Sequence, residues 1–272
     1  MEIAFTKMNG LGNDFVIIDS RDVPHTLTPE QVRILADRNH AQTGGCDQLL
    51  NLRPAQAGGA VFMEIYNSDG SQVDACGNGT RAVAALLGLT HSIIETRASH
   101  LVCTVDEAGM VSVEMGQPKL AAKDIPVSDL TINPQHIALH DNLPPALLVS
   151  MGNPHAVFFV PEDPQAYARE YGDELVHHSL FPEQANINFV TKLSDHHVTM
   201  ATWERGAGLT KACGTGACAS TVAFALQYGL APDHELQLDL PGGTLFIRYA
   251  PEDGGVFMRG PASFEFASRA TL

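Results

Sequence analysis

Two segments of the chain share one pattern of apolar and polar positions. AVFMEIY (60–66) and HHVTMATW (196–203) are short runs rich in β-branched and aromatic residues, which is typical of strands. A turn-like stretch of nine residues follows each segment and ends at Cys76 and at Cys213, respectively. Each cysteine opens a Cys-Gly-x-Gly motif and a run that is apolar on nearly all sides, which predicts a helix buried inside a domain.

Other parts of the chain repeat in the same order, and the two cysteines themselves lie 137 positions apart. GNDFVIID (12–19) has a counterpart in GNPHAVFFV (152–160). A helix start signal follows each: a capping box that opens at Thr28, and an Asp-Pro pair at Asp163. Alternating segments that close each half predict further strands.

These features predict an α+β fold of two pseudo-symmetric domains. Each domain is expected to be a mostly antiparallel sheet wrapped around a central apolar helix, with the active site in the cleft between the domains. We place the N-terminal half at 1–117 with Cys76 and the C-terminal half at 118–272 with Cys213, because 116–129 is polar and contains proline. The last strand, near 261–272, is expected to pack back on the first half.

Composition excludes several classes of protein. The 272 residues are 44% apolar with no apolar run of about 20 residues, so we expect a soluble cytoplasmic protein without a membrane span. The start, MEIAFTKMNG, contains no apolar signal region. The formal net charge of −15 argues against a nucleic-acid or anionic-membrane partner, since both need clustered Lys and Arg.

The five cysteines form no C-x-x-C pair, so a metal site is not expected, and their odd number in a chain without a signal region predicts free thiols. Cys103, in an alternating segment, is expected in the core. Cys218 lies five residues beyond Cys213, so a helix would turn it away from the helix start, and we expect it to serve packing.

A thiol at the start of a helix has a specific chemistry. The first N–H groups of a helix lack intrahelical partners and carry partial positive charge, so we expect a lowered thiol pKa beside a pocket for an anion. Two such thiols can remove a proton from one face of a carbon next to a carboxylate and return a proton to the other face. Nothing in the chain indicates a pyridoxal phosphate enzyme, and no cofactor is expected.

Four motifs resemble those of the diaminopimelate epimerase family: KMNGLGNDFVIID, NSDGSQVDACGNGTRA, MGNPHAVFF and WERGAGLTKACGTGACA. The resemblance extends from residue 5 to about residue 260. It implies a cofactor-independent isomerase that converts LL- to meso-diaminopimelate, in lysine and peptidoglycan precursor synthesis. It implies that Cys76 and Cys213 are the acid/base pair. The residues that it places at the substrate are Asn13, Gln48, Asn67, Gly77, Asn78, Asn153, Asn186, Glu204, Arg205, Gly214 and Thr215.

The resemblance also implies individual roles. Arg205 would hold the distal carboxylate, Glu204 an ammonium group, and His155 and Glu204 would tune the thiol pKa values. From the residues alone, His155 could be a capped surface imidazole. Glu204 with Arg205 could be an ordinary surface ion pair, but the place of Glu204 opposite Asn67 in the repeat favours the cleft. Phe266 corresponds to an aromatic residue of the family's dimer interface, so a homodimer is expected.

Two other functions remain open at this point. Another amino-acid racemase of the same fold would use the same cysteine pair, but Glu204 and Arg205 suit a substrate with a charged far end. A thiol-redox protein is the alternative from a different class, and the lack of C-x-x-C weighs against it. Cys46 adds a further thiol, which would be open to oxidation if it lies near the site.

Overall fold

The computed structural model describes residues 2–271. Over that range it contains four α-helices: α1 Pro29–Ala36, α2 Gly77–Leu87, α3 Pro164–Val176 and α4 Gly214–Tyr228. The strands are β1 Glu2–Gly10, β2 Asn13–Asp19, β3 Gln48–Arg53, β4 Val61–Asn67, β5 Gln72–Val73, β6 His91–Glu95, β7 His100–Val105, β8 Val111–Gly116, β9 Leu147–Ser150, β10 Pro154–Phe159, β11 Asn186–Ser194, β12 His197–Glu204, β13 Gly208–Leu209, β14 Glu235–Leu240, β15 Gly243–Ala250, β16 Gly255–Gly260 and β17 Ser263–Thr271. None of the described helices is long and apolar enough to cross a membrane.

The chain divides into two compact units, 1–113 with 260–272, and 114–259. In the first unit, β1 pairs antiparallel with both β17 and β2. The pairing continues parallel from β2 to β3, antiparallel to β4, parallel to β6, and antiparallel to β7 and β8. Because parallel neighbours need a crossover connection, α1 joins β2 to β3 and α2 lies between β4 and β6.

The second unit repeats this order of pairings. β9 and β10 are antiparallel, β10 and β11 parallel, β11 and β12 antiparallel, and β12 and β14 parallel. β14, β15 and β16 then complete an antiparallel meander. The helices α3 and α4 occupy the two crossovers, as α1 and α2 do in the first unit. The repeated pattern in the sequence is therefore a repeated topology.

Local signals fix the helix ends. Thr28 caps α1 with both hydrogen bonds of the capping box, and Asp163 caps α3 before a proline in its first turn. The helices α2 and α4 end at Gly88 and Gly229, which adopt the left-handed conformation with φ of 64° and 79°. Glycine adopts that conformation without the steric cost of a Cβ. The helix starts expected at Thr28 and Asp163 are confirmed.

The central helices α2 and α4 are surrounded by sheet. Every residue of α2 is buried or partly buried, and α4 is covered as far as Ala225. The first packs against β1, β2, β6 and β7, and the second against β9, β10, β11 and β15. The small side chains of both helices allow this close approach, so the first turn of each helix is held by the strands around it.

Candidate active site

Cys76 is the N-cap residue of α2 in the first unit. Its Sγ accepts a hydrogen bond of 3.2 Å from the backbone N–H of Gly79. Gly77 and Asn78 form the start of the helix, where backbone N–H groups have no intrahelical acceptor. The thiol is therefore partly exposed beside a set of donors suited to an anion.

Three amide side chains lie at one edge of the first unit's sheet. Asn13 begins β2, Gln48 begins the parallel strand β3, and Asn67 ends the antiparallel strand β4 directly opposite Gln48. Gln48 Nε2 donates to Asn67 Oδ1 at 3.1 Å. The buried oxygens Asn13 Oδ1 and Gln48 Oε1 accept no hydrogen bond from any residue within 2–271. Buried acceptors without a donor are costly, so these two oxygens fit a ligand that donates hydrogen bonds.

An ion network, with Lys7 buried and Arg38 exposed, supports that edge, and the sequence motifs did not reveal it. Lys7 is 4% exposed and contacts Asp14 at 2.5 Å and the carbonyl oxygen of Gly45. Arg38 donates to both oxygens of Asp14 at 2.7 and 2.9 Å and to Asp47 at 2.6 Å. Burial alone would raise the pKa of Asp14, but hydrogen bonds from Arg38 and Lys7 hold it well below its usual range. Asp14 and Asp47 directly follow and precede the amides Asn13 and Gln48, so the network fixes both strand starts.

Cys213 holds the equivalent position in the second unit, as the N-cap of α4, but it is buried to 4% exposure. Burial raises the pKa of its thiol well above the ordinary value, and the negative charge of Glu204 raises it further. The Thr215 hydroxyl and the Gly216 N–H act in the opposite direction. The expectation of a lowered pKa at this helix start is therefore wrong for Cys213, because desolvation outweighs the helix donors.

Glu204 ends β12 and interacts with both the thiol of Cys213 and the hydroxyl of Thr210. Its Oε1 accepts a hydrogen bond of 2.5 Å from Thr210 Oγ1. Burial raises the pKa of Glu204, while hydrogen bonds from Thr210 and Cys213 lower it. The structure thus brings Glu204 next to the cysteine that it was expected to tune. Thr210 was not expected at the site.

Asn153 directly precedes β10 and His155 lies on β10, in this half of the site. His155 is fully buried, not a surface imidazole, and its burial, together with the charge of Arg205, lowers its pKa to about 3. Its Nε2 lies 3.1 Å from Asn153 Oδ1, and Asn153 Nδ2 donates to Thr215 Oγ1 at 3.3 Å. Thr215 Oγ1 in turn lies 3.7 Å from Cys213 Sγ. A chain of polar contacts therefore links the imidazole to the thiol.

Asn186 and Arg205 interact with each other through the backbone. Asn186 Oδ1 accepts from the Arg205 N–H at 3.1 Å, and its Nδ2 donates to the Pro154 carbonyl oxygen at 3.3 Å. The Arg205 guanidinium is exposed and donates to the carbonyl oxygen of Glu183 at 3.1 Å. Arg205 and Glu204 form no ion pair among the described contacts, so the surface-pair reading is not what the structure contains.

The remaining cysteines are buried. Cys103 and Cys218 are fully buried, as expected for core residues. Cys46 lies in a core cluster with Phe5, Val16 and Leu49, and burial raises the pKa of its thiol to about 12. The suggestion that Cys46 is open to oxidation is corrected by this burial, because the reactive form is the thiolate. All five cysteines lie within the described residues and form no disulfide, and that range contains no group of three or more His, Cys, Asp or Glu side chains arranged to hold a metal.

Solved structures share this fold over the full chain. A phenazine biosynthesis protein of the PhzF family from Bacillus anthracis is similar with a TM-score of 0.71 and 18% identity, covering 100% of both chains. A hydroxyproline epimerase from Agrobacterium vitis is similar with a TM-score of 0.65 and 14% identity, covering 100% of this chain and 93% of that one. The fold thus places the protein in the class of two-domain α+β proteins that includes amino-acid epimerases.

The sequence comparisons are more specific. The family model for diaminopimelate epimerase matches residues 5–121 and 147–265. A diaminopimelate epimerase from Phenylobacterium zucineum is 46% identical over 96% of this chain and 95% of its own length. One from Bradyrhizobium sp. (strain ORS 278) is 42% identical over 98% and 94%, respectively. The chain belongs to the diaminopimelate epimerase family, and it is an isomerase.

Proposed function

We propose that the chain converts LL-diaminopimelate to meso-diaminopimelate without a cofactor, with Cys76 and Cys213 as the two acid/base groups. The observation that carries the proposal is that both cysteines are the N-cap residues of the buried central helix of their unit, at equivalent positions of a repeated topology. Such a repeat supplies two groups of the same kind for a reaction that exchanges a proton at one carbon.

The proposed chemistry begins with one cysteine as thiolate and the other as thiol. The thiolate removes the α-proton, and the electron pair of the broken C–H bond is delocalised into the adjacent carboxylate. The thiol then donates its proton to the same carbon from the opposite face. The product leaves with inverted configuration and the protonation states of the two sulfurs are exchanged. The raised pKa of Cys213 supports a protonated thiol at this position in the resting enzyme.

The reacting carboxylate needs donors that are already in place. The first-turn N–H groups of α2, at Gly77 and Asn78, and of α4, at Gly214 and Thr215, are suited to that charge. Fixed donors of this kind stabilise developing charge without reorganisation during the reaction.

The charges of diaminopimelate match the other expected ligands. Its ammonium groups can donate to the buried acceptors of Asn13 and Gln48. We propose that Glu204 contributes to ammonium binding and that the exposed guanidinium of Arg205 binds the distal carboxylate. Asn67, Asn153 and Asn186 would orient the substrate without adding net charge.

The decisive experiment incubates the reduced protein with LL-diaminopimelate in heavy water, without added cofactor. We expect meso product with deuterium at one α-carbon, and loss of net epimerisation in both Cys76→Ser and Cys213→Ser. Full turnover by both variants would disprove the two-cysteine mechanism. Parallel incubations with L-proline and trans-4-hydroxy-L-proline test the racemase alternative, because exchange there in place of diaminopimelate would reassign the substrate.

We also propose a cytoplasmic homodimer that serves lysine and peptidoglycan precursor synthesis. Phe264 and Phe266 lie two positions apart on β17 and are 60% and 39% exposed, and neighbouring exposed aromatic side chains support an interface there. Sedimentation of the wild type and of Phe266→Ser tests this: a dimer that dissociates in the variant is expected, and a monomeric wild type would refute it.

A further inference from the structure

The two units differ at three buried positions behind their cysteines. Strand register makes these positions equivalent, because β2–β3 pairs Phe15 with Gln48 as β10–β11 pairs His155 with Asn186. Two residues beyond Gln48 and Asn186, on the same face of each sheet, Leu50 pairs with Ile65 and Asn188 pairs with Thr202. The first unit therefore carries an apolar triad and the second a polar one: Phe15, Leu50 and Ile65 against His155, Asn188 and Thr202.

Both triads are buried. The apolar residues are at most 2% exposed, and among the polar ones Thr202, at 3%, is the most exposed. Buried, hydrogen-bonded polar side chains give little net stability over apolar side chains of similar shape, and an apolar set fills the same place in the first unit. Packing alone therefore does not account for the polar residues of the second unit. The two units differ at these positions, and their thiols also differ, because Cys213 is buried and Cys76 is partly exposed.

The hydrogen bonds of the polar triad have a defined direction. Thr202 Oγ1 donates to Asn188 Oδ1 at 3.0 Å. The Ala156 carbonyl oxygen can only accept, and it lies 3.2 Å from Asn188 Nδ2, which identifies the nitrogen side of the amide. The other hydrogen of Nδ2 is assigned to His155 Nδ1 at 3.2 Å, which is closer than the Asn186 carbonyl oxygen at 3.5 Å. His155 Nδ1 must accept, so the single proton of the neutral ring lies on Nε2.

This direction continues to the sulfur. Nε2–H of His155 donates to Asn153 Oδ1, which turns Asn153 Nδ2 toward Thr215 Oγ1. Thr215 Oγ1 accepts that bond, and its own hydrogen is left for Cys213 Sγ at 3.7 Å. The far end of the chain therefore presents an O–H donor to the sulfur.

The start of α4 packs directly on this arrangement. A Cβ on Gly216 would lie 2.5 Å from Asn188 Oδ1 and 3.1 Å from Thr202 Oγ1. The equivalent Gly79 would meet only the flexible end of Leu50 at 3.2 Å and Cys76 Sγ at 3.4 Å. Because Gly216 has no side chain, the helix that begins after Cys213 can contact Asn188 and Thr202 directly.

We propose that Asn188 and Thr202 are positioning residues that fix the His155 tautomer and, through Asn153, make Thr215 a hydrogen-bond donor to Cys213. A donor stabilises the thiolate that Cys213 must become in one direction of turnover. The proposal rests on the proposed function only in taking Cys213 as an acid/base group. Glu204 on β12 and Arg205 after it are the charged groups that act on Cys213 and His155, and neither takes part in the chain.

The first test reads the tautomer directly and needs no activity. In ¹⁵N NMR spectra of the histidine-labelled protein at pH 7.5, the His155 ring should carry its proton on Nε2. The variant Asn188→Asp replaces the donor to Nδ1 with a carboxylate, so the ring proton should move to Nδ1. A wild-type ring protonated on Nδ1 would overturn the proposal, whether or not the protein epimerises diaminopimelate.

The second test uses Thr202→Val, which keeps the side-chain shape and removes the hydroxyl. We expect kcat to fall about tenfold with little change in KM, the equivalent of losing one charge-assisted hydrogen bond. The rate of Cys213 alkylation at pH 8, measured by peptide mass spectrometry, should fall in parallel because less thiolate is present. Thr202→Ser should restore both.

The matched control is Thr191→Val on neighbouring β11. Thr191 is also buried, and its hydroxyl has no hydrogen-bond partner among residues 2–271. We expect unchanged kcat and unchanged alkylation of Cys213 in Thr191→Val.

The double variant Asn188→Leu/Thr202→Ile, which installs the first unit's residues, should stay folded by circular dichroism while losing Cys213 reactivity. If Cys213 is alkylated at the wild-type rate and turnover is unchanged in both Thr202→Val and the double variant, the positioning role is refuted. Unchanged alkylation with lost turnover would refute it as well.

Discussion

Thr210 Oγ1 donates a 2.5 Å hydrogen bond to Oε1 of Glu204, the carboxylate that also interacts with the buried thiol of Cys213. Two opposed effects therefore set the ionisation of Glu204. Burial raises its pKa, and the hydroxyl lowers it. The hydroxyl therefore opposes the rise in the pKa of Glu204 that burial causes.

The variant Thr210→Val should raise the pKa of Glu204 further. The acid limb of the kcat/KM profile should then move to higher pH by about one unit, since a hydrogen bond to a charged group contributes on the order of 1.5 kcal/mol. Thr210→Ser should retain the wild-type profile. Superimposable profiles for Thr210→Val and wild type would show that Thr210 does not act on Glu204.

His155 should make stability depend on pH in a defined window. Its pKa is about 3 in the folded protein and about 6.5 for an unperturbed histidine, so the unfolded chain binds a proton that the folded chain does not. Stability is unaffected above pH 6.5 and decreases as the pH falls toward 3, by about 1.4 kcal/mol per pH unit. Urea unfolding at several pH values between 6.5 and 4.5 should show this slope.

His155→Gln removes the titrating group, so its unfolding free energy should lack that contribution to the slope even if its overall stability is lower. Exposed His136 provides the control, since His136→Gln should keep the wild-type slope. Equal slopes in all three proteins would contradict a buried, neutral His155. Asp14 is separable in this experiment because its lowered pKa reduces stability only below about pH 4.

The ion network at Lys7 gives a prediction for stability. Asp14→Asn leaves the Lys7 ammonium, 4% exposed, without its carboxylate and should cost about 3–5 kcal/mol in unfolding free energy. Asp19→Asn breaks an exposed pair with Arg21 at 2.7 Å and should cost less than about 1 kcal/mol. Equal costs for the two variants would show that the buried network does not stabilise the first unit.

Gly216 and Gly79 offer a paired test of packing. Gly216→Ala places a Cβ 2.5 Å from Asn188 Oδ1 and should destabilise the protein by about 2 kcal/mol. Gly79→Ala meets a movable leucine methyl group at 3.2 Å and gains helix propensity, so a change within about 1 kcal/mol is expected. Thermal unfolding of both variants measures these two stability changes, and Gly216→Ala should be clearly the less stable protein. A Gly216→Ala protein as stable as wild type would mean that α4 does not press on the polar pair.

Local sequence signals were sufficient for the framework. Thr28, Asp163, Gly88 and Gly229 act on backbone groups within four residues of themselves, so their effect can be read without knowing the rest of the fold. The same holds for the two cysteines at their helix starts. The local patterns do not predict the strands β1, β3 and β11, although they place Gln48 of β3 and Asn186 of β11 at equivalent distances before the two cysteines.

Some site residues carried a weak signal that could have been used. Asn186 and Asn188 are two positions apart, so on a strand they share a face, and Thr202 stands where the repeat has Ile65. A polar residue in place of an apolar one at an equivalent position marks a buried polar site. Lys7 and Arg38 gave no such signal, because their partner Asp14 is reached from two separate segments of the chain.

The order of amino acids thus accounts for the repeated topology, the helix boundaries and the two thiols that cap buried helices, since each depends on neighbours in the chain. Folding decides which groups are charged. The high pKa of Cys213, the neutral His155 and the inert Cys46 all arise from the removal of water by residues distant in sequence. Desolvation depends on everything packed around a group, and only the assembled structure specifies that environment.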